Sequence, residues 1–508
     1  MFKKNSFIGN IALVSGFSLL TKVIGFLREV LIARIYGRNW ITDAFFLSQN
    51  MPSLIFPAVC DSFAVAFTSI YKKKRKKRKI FFTYSIIFLG FISLCLTIIS
   101  IILIPKIIFL LTPGFDEKTT ILAVKLSTIS MSYFTIIMLN TIFIALLNSE
   151  KKFLKSQLSW LFYNSLIVII MLFFSESNIY YLTFSYFLSN FLQLFYLIYM
   201  VKFSFLFPNE KFLFIRIFKS KSILRMLRLA IPIMIGNSIH QLQNIIDKTI
   251  VSYGKEGSLS SLSYSISINS ITIGLIIFSI ITVFYPDLLD TLKKKNYIEL
   301  EKKIELSINL LTIIILPITI YTYYYSENIV RAIYGKGNFD LVSIKETSKF
   351  LKYYSLGYLF IGTKEMLIKI FYGLENSKIP MINSIISISL NIFLSISISS
   401  YIGVYGVALG TSIATLVSSA ILIFYLQKYY SYVKIKFNFF DFFKNVMSIG
   451  ISLYIIYEYK VDIFEENYFL KTFVEATSFF LIYILILFIF GHSIFKNILK
   501  KSLSNDVD

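Results

Sequence analysis

Charged side chains interrupt an apolar stretch that runs from Thr21 to Phe46. Among them are Lys22, Arg28, Glu29, Arg34 and Asp43. An ionised group costs about 2.5–3.5 kcal/mol at the centre of a membrane helix, even on scales derived from insertion experiments. A guanidinium offers a planar pair of donors to phosphate oxygens, and an ammonium offers a compact positive charge. The stretch therefore predicts a charged ligand that is handled within the membrane.

The helical wheel leaves two interpretations of these charges. On a straight helix Lys22 and Glu29 share a face to within about 20°, whereas Arg28 points elsewhere. Lys22 and Glu29 then either face a polar cavity or pair with each other across two turns.

A second polar face lies between Ile231 and Gly254. At 100° per residue its polar side chains fall within an arc of about 120°. They are Asn237, His240, Gln241, Asn244, Asp247 and Lys248. Lipid would not accept this face, so it lines a polar cavity or a helix contact, and we favour the cavity.

The composition places these residues in a polytopic membrane protein. Of 508 residues, 56% are hydrophobic and only 16% are charged. Apolar runs of about 20 residues, long enough to cross a bilayer, recur along the whole chain. We predict an all-α membrane protein with about fourteen transmembrane helices. Since it has no Gly-rich phosphate loop, Walker motif or GxSxG motif, we expect it not to be an enzyme.

The distribution of basic residues predicts the topology. The chain has a formal net charge of +23, and its densest basic run is "KKKRKKRK", Lys72–Lys79. With a cytoplasmic N-terminus, most Lys and Arg residues fall in cytoplasmic loops, so the positive-inside rule places both termini in the cytoplasm. We expect Lys72–Lys79 to contact anionic membrane lipids and not nucleic acid.

An internal repeat predicts two halves of equal orientation. "IFIALLNSEKKF" (Ile142–Phe153) resembles "IFYGLENSKIPM" (Ile370–Met381), and each straddles the loop after an even-numbered helix. We predict an N-terminal lobe of six helices at 1–205, an amphipathic linker at 206–228, a second six-helix lobe at 229–430, and an extra helix pair with a cytoplasmic tail at 431–508. In repeats of this kind the substrate site lies between the halves.

Several motifs resemble one known family. "TKVIGFLREVLIARIYGRNWITDAFF", "NMPSLIF", "LTPGF", "IALLNSEKKF" and "KEMLIKIFYGLENSKIP" are similar to motifs of the MurJ/MviN family, the lipid II flippases of the MOP exporter superfamily. The resemblance spans helices one to twelve in order. It implies two lobes around a cationic central cavity, through which the head of lipid II passes by alternating access. It also implies a bacterial cytoplasmic (inner) membrane protein, which we expect to act as a monomer.

The resemblance also implies which residues bind the substrate. Lys22, Arg28, Glu29, Asp43 and Lys369 fall at charged positions of the family motifs, and we add the polar face Asn237, His240, Gln241, Asn244 and Lys248. Phe56 and Ile268 stand where many members have an arginine. Two expected cavity cations are therefore absent.

We expect no organic cofactor. The membrane potential would favour outward movement of an anionic headgroup by about 2.3 kcal/mol per charge per 100 mV. Coupling to Na⁺ or H⁺ would reset the carrier. Asp247, Asn391, Ser395 and Thr411 offer the oxygen ligands that a hard cation prefers, although Ser395 replaces a carboxylate of some relatives.

Three alternatives remain open on the sequence. The chain could move another polyprenyl-pyrophosphate glycan, or it could be a multidrug or organic-cation antiporter of the same superfamily. It could also be a non-transporting scaffold with a degenerate site. The excess of Lys22, Arg28 and Lys369 over acids favours an anionic substrate.

Overall fold

The computed structural model describes residues 7–55, 57–73, 77–174, 178–201, 217, 220–294, 297–430, 438–458 and 467–493. Within these ranges the regular elements are helices. Up to the middle of the chain they are α1 (Phe7–Tyr36), α2 (Trp40–Ile55), α3 (Pro57–Lys73), α4 (Arg78–Leu111), α5 (Glu117–Ser132), α6 (Phe134–Ser149), α7 (Phe153–Phe173), α8 (Ile179–Val201) and α9 (Lys221–Ser252). The remainder are α10 (Ser258–Thr272), α11 (Phe278–Lys293), α12 (Tyr297–Tyr324), α13 (Ser326–Tyr334), α14 (Leu341–Ser355), α15 (Tyr358–Gly373), α16 (Lys378–Ile402), α17 (Gly406–Tyr429), α18 (Phe439–Glu458) and α19 (Tyr468–Ile489).

The chain divides into two compact units, Met1–Tyr264 (unit 1) and Ser265–Asp508 (unit 2). In unit 1, α1 packs on α7, α2 on α5, and α3 on both α6 and α9. In unit 2, α16 and α17 form a long hairpin, and α18 and α19 form a second pair. Helix α9, which the repeat assigns to the second lobe, makes its contacts with α3 within unit 1. The lobe boundaries taken from the repeat stay a prediction.

The described helices have the length and hydropathy of a membrane protein. Nine helical stretches within the described ranges are long and apolar enough to cross a bilayer, among them Arg78–Leu111 and Tyr468–Ile489. The charged helices α1 and α9 are not among these nine. The all-α polytopic fold is confirmed, and the count of fourteen stays a prediction.

An aspartate caps a helix start in a similar way in each unit. The side chain of Asp116 accepts a hydrogen bond from Thr119 N at the start of α5, and Asp340 accepts one from Ser343 N at the start of α14. These carboxylates satisfy N–H groups that have no acceptor inside the helix, and they complement the positive end of the helix dipole. Each capped helix is followed by a second helix of 16 residues.

Two predicted spans contain a turn. The sequence predicts spans over 118–148 and 345–374, and helices end within them at Ser132 and Ser355. New helices begin at Phe134 and Tyr358. The stretch Glu117–Ser149 still has the length and hydropathy of one membrane span.

A five-residue π-helical segment, Ile273–Ile277, joins α10 to α11. Here the backbone bonds span five residues rather than four. A Cβ at Gly362 of α15 would lie 3.5 Å from Ile277 Cγ2 and 3.0 Å from Ile315 Cδ1. The small residue therefore lets α15 pack closely on Ile315 of α12, next to the π segment.

Glycines also allow the close approach of α16 and α17. A Cβ at Gly406 would lie 2.3 Å from the backbone nitrogen of Ser399, and one at Gly410 would lie 2.9 Å from that of Ser395. Backbone atoms cannot swing aside as a flexible side chain can. Small residues at such contacts are how membrane helices pack without a hydrophobic driving force between them.

We predict that Gly406→Ala destabilises unit 2. The added methyl group collides with backbone, a kind of overpacking that costs about 1–3 kcal/mol. Gly450→Ala is the matched control because nothing lies within 4 Å of its Cβ position in α18. The thermal unfolding midpoint of protein purified in detergent should fall for Gly406→Ala and hold or rise for Gly450→Ala. Equal midpoints would contradict the contact.

Candidate functional site

A cavity of about 740 Å³ lies inside unit 1, among α1, α2, α3, α6, α7 and α8. Its lining combines aromatic rings, amide side chains, one guanidinium group and two carboxylates. The residues are Arg28, Glu29, Phe45, Phe46, Gln49, Asn50, Pro52, Cys60, Asp61, Ala64, Val65, Thr68, Ser69, Tyr133, Phe134, Ile137, Thr141, Ile144, Ala145, Asn148, Trp160, Tyr163, Tyr186 and Asn190. Of the residues predicted to bind substrate, Arg28 and Glu29 are in this lining.

Arg28 is held by three neighbours. Its Nε and Nη2 donate to Glu29 Oε1 at 3.3 and 2.8 Å, and its Nη1 donates to Asn164 Oδ1 at 3.1 Å. The guanidinium carbon lies 5.2 Å from the centroid of the Tyr186 ring, within the range of a cation–π contact. One side chain thereby ties α1 to both α7 and α8.

Glu29 completes this ion pair. The side chains of Arg28 and Glu29 are 18% and 13% exposed, and Glu29 Oε2 is buried without a hydrogen-bond partner. A carboxylate oxygen left unpaired in a low-dielectric site is costly, so the neighbouring guanidinium must stabilise it. The interpretation in which Glu29 pairs with Lys22 is wrong, because Glu29 pairs with Arg28.

The remaining charges of α1 lie apart from this pair. Lys22 and Arg34 are exposed, and neither belongs to the cavity lining. Lys22 has no salt bridge within the described part of the chain. It lies six residues before Arg28, about 9 Å along the helix axis.

Asp43 binds helix α10 instead of lining the cavity. Its Oδ2 accepts from Gly257 N at 2.7 Å, and its Oδ1 accepts from the backbone N and Oγ of Ser260 at 2.6 and 2.7 Å. Gly257 has φ +80°, and a Cβ there would lie 2.6 Å from Arg38 Cγ, so the position requires glycine. The carboxylate is 4% exposed and caps the first turn of α10.

The polar face of α9 is only partly buried. Asn237, Gln241 and Lys248 are half-buried, and Asn244 is exposed and donates to Gln241 Oε1 at 3.3 Å. Asp247 is buried within unit 1. The side chain of His240 lies outside the described residues.

The other predicted residues belong to unit 2. Lys369 Nζ lies 5.6 Å from the centroid of the Tyr285 ring. Asn391 Nδ2 donates to Thr411 Oγ1 at 2.9 Å, whereas Asn391 Oδ1 and Ser395 Oγ are buried without hydrogen-bond partners. Asn391, Ser395 and Thr411 thus bring three neutral oxygens to the α16–α17 contact.

Two positions depart from the family motifs, Ile268 and Phe56, and the structure describes the first of them. Ile268 is a buried hydrophobic side chain in α10, at 6% exposure. Phe56 lies outside the described residues.

Sequence reasoning missed most of the cavity wall. Asp61, Trp160, Tyr163 and Tyr186 belong to no motif that predicts a role for them. In a chain that is 17% aromatic, an aromatic residue carries little signal by itself.

We predict that Arg28→Gln destabilises unit 1 and that Arg28→Gln/Glu29→Gln recovers much of the loss. The single variant leaves the Glu29 carboxylate without its cation. The loss should be below the roughly 3–5 kcal/mol of a fully buried pair, because both side chains keep some exposure. Thermal unfolding midpoints of the two single variants and the double variant form a double-mutant cycle. Additive losses would show that the ion pair contributes nothing.

We also predict that Asp43→Ala lowers the thermal unfolding midpoint. The substitution leaves the cavity lining unchanged, because Asp43 is not part of it. The N–H groups of Gly257 and Ser260 would lose their acceptor, at about 1–3 kcal/mol for each buried polar group left unpaired. Glu117→Ala, an exposed carboxylate in the first turn of α5, is the control. An unchanged midpoint for Asp43→Ala would contradict the capping role.

Comparison with known proteins identifies the family. The model of the family described as lipid II flippase MurJ matches residues 32–480. A probable lipid II flippase MurJ of Buchnera aphidicola subsp. Acyrthosiphon pisum is 29% identical over 422 residues, covering 80% of this chain and 81% of the relative. The corresponding protein of Treponema pallidum is 26% identical over 444 residues, covering 84% and 83%.

Comparison with solved structures supports the same family and fold. A lipid II flippase MurJ in an inward closed conformation superposes with a TM-score of 0.82 at 25% identity, covering 96% of this chain and 100% of that one. An inward-facing multidrug resistance MATE transporter of the MOP superfamily has the same fold, with a TM-score of 0.68 at 13% identity, covering 83% and 98%. The resemblance expected from the motifs is confirmed, and the chain belongs to the lipid II flippase MurJ family, a family of membrane transporters.

Proposed function

We propose that this chain moves lipid II from the cytoplasmic to the outer leaflet by alternating access, without enzymatic chemistry. Membership of the MurJ family supports lipid II as the substrate. The Arg28–Glu29 pair inside a cavity of an apolar helical unit is the observation that carries the proposal for this chain. A membrane protein retains ionised groups at such a place when a charged ligand uses them.

In the empty site, the Glu29 carboxylate occupies the position beside Arg28 where a phosphate of the headgroup would bind. A phosphate oxygen of the headgroup would replace Glu29 Oε1 at Nε and Nη2 of Arg28, since the planar fork suits phosphate and carboxylate alike. Lys22, exposed on the same helix, would supply a second positive charge. The headgroup would thereby exchange water for preset donors instead of losing its hydration without compensation.

The membrane potential supplies a driving force. With the cytoplasm negative, a dianionic headgroup moving outward gains about 4–5 kcal/mol at 100 mV. A monovalent cation, Na⁺ or H⁺, would reset the empty carrier. For Na⁺, Asn391 Oδ1 and Ser395 Oγ are fitting ligands because both are buried without a hydrogen-bond partner. Thr411 of α17 completes the proposed set within unit 2.

Charge distribution supports the proposed orientation in the bacterial cytoplasmic membrane, with both termini in the cytoplasm. Lys72 and Lys73 at the end of α3 and Lys77 just before α4 are exposed, and there they would contact anionic lipid headgroups. Arg78 Nη1 lies 3.8 Å from Glu150 Oε1, and Arg78 Cζ lies 5.3 Å from the centroid of the Tyr71 ring. These contacts also stabilise this end of unit 1. The proposed unit of function is a monomer.

We predict that depletion of the protein causes lipid II to accumulate and reduces its exposure on the outer leaflet. Arg28→Gln/Glu29→Gln should fail to restore exposure, and Lys22→Ala should restore it poorly, while both are present at normal level in the membrane. Lys118→Ala, an exposed lysine in the first turn of α5, should restore it fully. Unchanged lipid II exposure after depletion, in cells without another flippase, would overturn the proposal.

A further inference from the structure

A carboxylate lies on the buried face of α19, a helix that is long and apolar enough to cross a bilayer. The buried side chains of this helix recur every three or four residues. They are Thr472, Glu475, Phe479, Tyr483 and Leu487. Because these positions share one face of the helix, Glu475 faces the protein and not the lipid. It lies about 10 Å along the axis from Tyr468, where α19 begins.

Glu475 lacks partners at this position. The residue is 6% exposed, and its Oε2 is buried without a hydrogen-bond partner. It makes no salt bridge within the described ranges. By contrast, Tyr483 on the same face donates to Ile313 O at 3.0 Å. A bare carboxylate is costly in a membrane segment, so another group must neutralise it.

Tyr321 of α12 presents a second oxygen without a partner. The residue is 4% exposed, and its Oη is buried and makes no hydrogen bond. Its ring stacks on that of Tyr325 with centroids 4.8 Å apart, and lies 5.0 Å from that of Phe479. Both tyrosines lie within electrostatic range of Glu475. An anionic oxygen and a hydroxyl oxygen, both buried and both unpaired, therefore belong to the same junction of α12 and α19.

The nearby cations do not pair with this carboxylate. On α13, Arg331 Nη2 lies 3.2 Å from Glu327 Oε1, and Arg331 Cζ lies 5.0 Å from the centroid of the Tyr468 ring. Lys471 lies one turn before Glu475 on α19, where its charge acts on the carboxylate without a salt bridge between the two. The charge of Glu475 is therefore not compensated by direct contact.

The other neighbours of the junction are neutral. The side chain of Asn328 faces the Glu475 carboxyl, and the backbone oxygen of Asn328 accepts from Thr472 Oγ1 at 3.5 Å. Helix α18 packs here through the apolar side chains of Ile449 and Ile456. Carboxylate, hydroxyl and carbonyl oxygens are the ligands that a hard cation prefers. The junction thus offers oxygens suited to a positive charge.

We propose that Glu475 binds a small monovalent cation, H⁺ or Na⁺, which holds α19 on α12 and α13. A proton would turn Oε2 into a hydrogen-bond donor, whereas Na⁺ would take the oxygens of the junction as ligands. Either ion neutralises the buried carboxylate. The residues differ from the α16–α17 set of Asn391, Ser395 and Thr411, and the inference does not depend on the substrate.

Infrared spectroscopy of the purified full-length protein tests the proposal directly. The spectrum of Glu475→Gln, which keeps the shape of the side chain and removes its charge, is subtracted from that of the unaltered protein in choline chloride at neutral pH. A protonated carboxyl band in the difference would identify H⁺. A carboxylate band that shifts in a saturable manner when NaCl replaces choline chloride would identify Na⁺. A carboxylate band that Na⁺ leaves unchanged would overturn the proposal.

Thermal unfolding midpoints provide a second measurement. In choline chloride, at an alkaline pH below the range in which lysine titrates, the unaltered protein loses the cation and keeps a buried charge. Compared with neutral NaCl, its midpoint should fall by about 2–4 °C more than that of Glu475→Gln, the shift typical of one unsatisfied buried group in a unit of this size. Cation binding elsewhere affects both proteins equally and cancels.

A matched control variant completes this comparison. Glu117→Gln removes an exposed carboxylate in the first turn of α5 and should respond to pH and salt as the unaltered protein does. Recovery of the midpoint on adding NaCl, or on lowering the pH, identifies which ion binds. Equal falls for the unaltered protein and Glu475→Gln would overturn the cation site. Neither measurement involves a lipid-linked substrate, so the result bears on Glu475 alone.

Discussion

The pairing of Arg28 with Glu29 is the constraint on which unit 1 depends. Each charge makes the other tolerable among apolar helices, and Asn164 and Tyr186 occupy the remaining sides of the guanidinium. The same contact joins α1 to α7 and α8, so packing and charge compensation are one interaction here. An anion that displaces Glu29 from Arg28 would necessarily disturb the packing of α1 on α7 and α8.

Several acidic residues of this chain stabilise helix starts. Asp43, Asp116 and Asp340 each accept backbone N–H groups at a helix start. The repeated motif asparagines make different contacts, since Asn376 accepts from Ile379 N near the start of α16, whereas Asn148 accepts from the Ser156 hydroxyl. In both halves the motif asparagine thus joins the end of one helix to the helix that follows.

The family, the helical class and the presence of a charged pair in the first helix followed from the sequence. The identity of the pair did not, because a helical wheel separates Arg28 and Glu29 by about 100° while the long arginine side chain reaches around the helix. The role of Asp43 depends on Gly257 and Ser260, more than two hundred residues away. Likewise the aromatic wall around Trp160 arises from tertiary packing, which local spacing does not encode.

The π segment Ile273–Ile277 changes the directions of the side chains that follow it in α11. One residue more than an α-helical turn is accommodated there, so the sequence after Phe278 is rotated by about 100° relative to an uninterrupted helix. Alignments that place a gap of one residue near Gly274 would then compare side chains that share a direction, and those without the gap would compare side chains that point about 100° apart.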